Sequence, residues 1–97
     1  MDGLIGADGF ADLLLEDLET CRYRPVAALD ATLQGAVLGS DDPPPVGTEQ
    51  VLFMPTREGV VGCLVRVLRH GPRGLYVEFV DPRSSFLMAL TRRIAGR

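Results

Sequence analysis

The 97-residue chain has no lysine and no tryptophan, one histidine, two cysteines and only 6% aromatic residues. Each shortage excludes a class of chemistry. Without lysine there is no Gly-x-x-x-x-Gly-Lys phosphate loop. His70 stands alone in a Gly-Pro turn, so neither a histidine-based metal cluster nor a nucleophile–base pair has its usual parts. Cys21 and Cys63 are far apart and lack a neighbouring ligand, which reads as two buried, reduced thiols. The scarcity of rings speaks against a stacking platform for single-stranded nucleic acid, so OB-fold-like RNA binding is a minor alternative. No apolar run approaches the roughly 18 residues that span a bilayer. The opening MDGLIGADG lacks the basic n-region of a signal peptide. A cytoplasmic protein without membrane insertion is the expectation.

What is present suits one folded domain: 46% hydrophobic and 24% charged residues in a length that leaves no room for a second core. All ten basic residues are arginine, and the net charge is −3. Residues 1–49 hold ten acids against Arg22 and Arg24 (net −8), whereas residues 50–97 hold three acids against eight arginines (net +5). A net acidic chain is a poor phosphate neutraliser, so no nucleic-acid partner is expected. The carboxylate pairs Glu16/Asp17 and Asp41/Asp42 fit a solvated helix face and a loop better than an enclosed catalytic cleft. No catalytic residue, metal ligand or cofactor follows from the sequence.

Along the chain, Phe10, Leu13, Leu14, Leu18 and Cys21 form a stripe at helical spacing, with Asp8 as a cap, which predicts a helix over 8–22. The alternative for the same residues is a buried first strand, because Leu13, Leu14 and Leu15 run together. From Pro25 the pattern is strand-like: 26–29, 33–38, 48–54, 60–68 and 75–80, with a surface loop at GSDDPPPVG (39–47) and a hairpin at 70–74. A terminal helix follows, with Asp81 as N-cap, Pro82 at the first position, and Phe86, Leu87, Leu90 and Ile94 on its buried face. Arg92, Arg93 and Arg97 occupy its last turn, where cations suit the helix dipole. Residues 1–24 thus read as a helical N-terminal segment and 25–97 as a small antiparallel barrel of five or six strands closed by a helix.

The order of these features resembles the PilZ domain family over residues 26–90. The matching stretches are VAALDATLQGAVL, the proline-rich segment ending in Val46-Gly47-Thr48, the strand GCLVRVLRHG, and GLYVEFVDP leading into the last helix. The resemblance implies a six-stranded antiparallel β-barrel and a role in bacterial cyclic di-GMP signalling. It also implies a ligand site in two halves. An Asp/Asn-x-Ser-x-x-Gly turn reads guanine, and an upstream Arg-x-x-x-Arg pair clamps guanine and phosphate. The first half carries over as Asp30, Thr32 and Gly35. The second does not: the upstream arginines are Arg22 and Arg24, two apart and close to Asp30. Arg69/Arg73 and Arg93/Arg97 have the right spacing on the wrong side of the motif.

Three functions follow as expectations. One is an adaptor that docks on a protein partner in a signalling or motility pathway, with direct cyclic di-GMP binding weakened. Another is a true cyclic di-GMP receptor built from Arg22, Arg24, Asp30, Thr32 and Gly35. The third is a structural module or homo-oligomer subunit without nucleotide binding.

Overall fold

In the computed structural model, which describes residues 13–96, six antiparallel strands close into a barrel and a helix follows. The strands are β1 (Leu13–Asp17), β2 (Tyr23–Ala31), β3 (Gly35–Gly39), β4 (Glu49–Thr56), β5 (Gly59–Gly71) and β6 (Gly74–Val80), and the helix is α1 (Ser84–Ala95). Around the barrel their order is β1-β2-β3-β6-β5-β4, with β4 returning to β1. The expected six-stranded barrel with a C-terminal helix is therefore present.

The expected N-terminal helix does not extend into the described residues. Leu13–Asp17 is a strand, and 8–12 with Phe10 lie outside them. The reason is non-local. β2 and β4 each present a free edge, and β1 satisfies both, Leu15 standing opposite Arg24 on one side and Leu52 on the other. Leu13 and Leu15 then point into the core while Leu14 is outside, the alternation of a strand. Cys21 also departs from expectation. It lies exposed in the turn after β1 at φ +59°, so only Cys63 is buried.

The barrel interior is filled by alternate residues of every strand, among them Leu13, Val26, Leu38, Leu52, Val65, Leu75 and Val77. α1 stops one end, burying Phe86 and Leu90, with Phe86 edge-on to Phe79 at 5.5 Å. Its buried face is the one expected, but its start is not. Arg83 is the N-cap and has no side-chain cap bond, while Asp81 lies in the bend after β6 at φ +52°. Arg92 and Arg93 sit in the last turn as expected, and Arg97 lies outside the described residues. The opposite end is polar. Leu15 pairs with Arg24 and Asp17 with Gln50 at the barrel mouth, where Gln50 Nε2 donates to Asp17 Oδ2 at 3.1 Å. Among the described residues no helix is long and apolar enough to cross a membrane.

Candidate functional site

The Asp30–Gly35 turn lies at the α1 end of the barrel, and its polar atoms serve the turn itself. Thr32 N–H donates to Gly35 O at 2.8 Å, and the Thr32 hydroxyl accepts from the backbone of Gln34 at 3.2 Å and Gly35 at 3.3 Å. Asp30 Oδ1 accepts from Ala31 N–H at 2.9 Å. These are the local side-chain-to-backbone bonds that make such residues turn formers. Gly35 has a further constraint. A Cβ there would overlap the carbonyl oxygen of Val77 and lie 3.2 Å from Glu78 Cα, because β3 and β6 approach closely at this pair.

Asp30 reaches the outer wall because of a register shift. Val26 and Ala28 face the core, and strict alternation would send Asp30 inward after them. An extra residue, Leu29, breaks the pairing between Ala28↔Leu38 and Asp30↔Val37. The bulge switches the phase, so Asp30 is exposed and Ala31 packs on the core. β5 does the same. Cys63, Val65 and Val67 face in, and the extra residue Leu68 then leaves Arg69 outside, opposite Tyr76.

The two bulges place Asp30, Val37, Tyr76 and Arg69 side by side on one row across β2, β3, β6 and β5. The Arg69 guanidinium carbon lies 3.9 Å from the Tyr76 ring centroid, a cation–π contact. The adjacent row carries Gly35, Glu78, Arg66 and Glu49, in which Arg66 bridges Glu78 at 3.4 Å and Glu49 at 3.3 Å. The first row and the Gly35–Glu78 pair of the second bound a shallow recess of about 400 Å³ that includes Thr32 and Gln34. Sequence reasoning named Arg69 for its spacing to Arg73 but not as part of a site, and did not single out Tyr76. The readable signal was the break in alternation at Val67-Leu68-Arg69.

Arg22 and Arg24 are not part of this surface. Arg24 lies at the start of β2, Arg22 just before it and Asp30 near its end; Arg24 and Asp30 are six residues apart, or roughly 20 Å at about 3.3 Å per residue. Both instead face Asp42: Arg22 Nη2 donates to Asp42 Oδ2 at 3.0 Å, and Arg24 Nε is 3.5 Å from the same oxygen. The five expected ligand residues thus fall into two groups at opposite ends of the barrel. Antiparallel pairing of Leu13 with Val26 and Glu16 with Tyr23 places the first residue of β1 toward the Asp30 end of β2. The preceding sequence, MDGLIGADGFAD, contains no basic residue.

The Gln50 side-chain amide, then the backbone N–H groups of Thr20 and Glu19, hold the Asp17 carboxyl below the usual carboxylate range, with a smaller contribution from the Arg24 charge. Burial pushes the Cys63 thiol up, which makes it a poor nucleophile. Among the described residues no group of three His, Cys, Asp or Glu is placed to hold a metal ion. No protein-family model, curated protein or solved structure matches the chain.

Proposed function

We propose that the chain is a non-catalytic, PilZ-type signalling barrel of the bacterial cyclic di-GMP system that acts as an adaptor docking on a protein partner, without strong direct binding of the nucleotide. The six-stranded closed barrel is the architecture that the resemblance implies. The observation that carries the adaptor reading over the receptor reading is the separation of Arg22 and Arg24 from Asp30, Thr32 and Gly35 along β2. A doubly anionic ligand on the Asp30 side meets Arg69 already stacked on Tyr76, and Arg66 already shared between two glutamates. Charge-assisted bonds contribute about 1.5–3 kcal/mol each, so the missing arginine pair weakens nucleotide binding by roughly two to four decades.

The adaptor reading is tested by photo-crosslinking in the native cell. A benzophenone side chain replaces Leu33, at the Asp30 turn, or Tyr23, at the polar mouth; both positions are exposed. The reading expects a discrete adduct with one other protein from at least one position. Adducts only with further copies of this chain, or none from either position, would replace it by the homo-oligomer or structural reading.

A further inference from the structure

The polar mouth holds a second and larger recess, about 770 Å³, between the start of β2, the segment after β3 and the β5–β6 turn. Arg24 is its central group. Its side chain is only 12% exposed, and Nε and Nη1 are buried with no hydrogen-bond acceptor among the described residues. Among the described residues the one carboxylate at ion-pair distance, Asp42, is 61% exposed and divides its Oδ2 between Arg22 and Arg24. A guanidinium has five N–H donors and no way to neutralise itself, so burial with half a partner leaves it short of anionic acceptors.

The rest of the lining sets what could supply them. Arg73 adds a third cation from the β5–β6 turn, and Asp41 and Asp42 are the acids, so the arginines outnumber the carboxylates by one. His70 is committed, since its Nε2 donates to the Pro44 carbonyl at 2.7 Å. Tyr23, Pro25 and Pro72 furnish flat apolar surface beside the charge. One excess positive charge matches a single carboxylate, and the recess is far larger than an inorganic anion requires.

We propose that this recess receives an acidic segment of a protein partner, one Asp or Glu carboxylate seated on Arg24 and an adjacent apolar side chain against Tyr23 and the prolines. The inference rests on the adaptor reading and names the chemistry of the partner. Arg24 supplies the buried charge-assisted bonds, Arg22 and Arg73 supply the rim charge, and Asp42 is the competitor that the ligand displaces.

The test is an amide-resolved NMR titration of the full chain with acetyl-Ala-Leu-Glu-Leu-Ala-amide, the same peptide with Gln for Glu, and inorganic phosphate. The expected result is saturable shifts for amides of 22–27, 39–42 and 70–74 with the Glu peptide, and at least about fivefold weaker binding of the Gln peptide. Asp42→Asn should tighten the Glu peptide several-fold by removing the competitor, and Arg73→Gln, on an exposed turn, should weaken it about threefold. These two surface variants keep the test open if Arg24→Gln fails to fold. Equal binding of the Gln peptide, no shift at millimolar Glu peptide, or an Asp42→Asn variant that binds no tighter would overturn the proposal. Phosphate saturating the same amides at the same concentration would reduce the site to an adventitious ion only. Crosslinking of a partner from position 33 but not 23 would sink this inference and leave the adaptor reading standing. Peptide binding here with no crosslinked partner at all would sink the adaptor reading, and the partner with it, and leave only the recess's affinity for an acidic segment.

Discussion

Replacing Gly35 by alanine separates the two roles that the Asp30–Gly35 turn can have. In a ligand motif the glycine makes room for a nucleotide. Here it makes room for β6, since an added Cβ would overlap the Val77 carbonyl oxygen and crowd Glu78 Cα at 3.2 Å. Both obstacles are main chain, held by the Gly35↔Glu78 and Ala36↔Val77 pairs, so no rotamer change relieves them. Overpacking typically costs 1–3 kcal/mol, and an unyielding backbone places Gly35→Ala near the upper end, about 3 kcal/mol. At 4–8 °C per kcal/mol for a domain of this size, the melting temperature should fall by roughly 12–24 °C. Gly39→Ala, at the other end of β3, is the control. Its Cβ would meet only Leu29 side-chain atoms at 3.5 Å and beyond, an ordinary contact, and alanine relieves the entropic penalty of a strand glycine. It should change stability by less than about 1 kcal/mol. The assay is thermal unfolding followed by circular dichroism. A Gly35→Ala protein that melts within a few degrees of the parent, or together with Gly39→Ala, would refute the close approach of β3 and β6.

Other consequences follow from the packing and charge. Phe86→Ala removes the aromatic stopper at the α1 end and should cost about 3–5 kcal/mol in urea unfolding. Deleting Leu29 removes the extra residue of the β2 bulge and leaves Ala28 and Asp30 as neighbours opposite Leu38 and Val37, so the variant should keep Asp30 outside and unfold cooperatively; a deletion that fails to fold would mean that Leu29 does more than set the phase. Asp17 ionises more readily in the folded chain than unfolded. Its stabilisation is therefore present above the unfolded carboxylate value near 3.9 and is lost as pH falls below about 4 through the folded value. Asp17→Asn should lower stability at pH 7 and flatten the loss below pH 4; an unchanged acid limb would show that Gln50 and the turn N–H groups do not hold that carboxylate.

Much of the barrel was readable because local pattern and global fold agree from Val26 onward. β-Branched alternation marked β5 and β6, and Gly-Pro and proline-rich stretches marked the connections. β1 was not readable with certainty because Leu13-Leu14-Leu15 followed by Leu18 suits a helix face as well as a strand. The choice is made by two open edges, β2 and β4, that come from distant parts of the chain. The terminal helix was legible in its buried face but not in its start, since Asp81 serves as a turn residue rather than a cap. For the site, Asp30, Thr32 and Gly35 were legible as a turn. Their alignment with Tyr76 and Arg69 was not, because it depends on two bulges, of which only the β5 break at Val67-Leu68-Arg69 leaves a trace in the sequence. The distance between Arg24 and Asp30 was hidden for a related reason. Six residues are close in a turn or helix but about 20 Å apart in a strand.

The central claim, that the two halves of a nucleotide site are held apart, is tested most directly by calorimetric titration with cyclic di-GMP at low salt. The account predicts no saturable heat up to about 100 μM ligand. Saturable binding in the low micromolar range that is lost in both Arg22→Ala and Arg24→Ala, and also in Asp30→Ala, would contradict it, because those residues would then have to meet in one site.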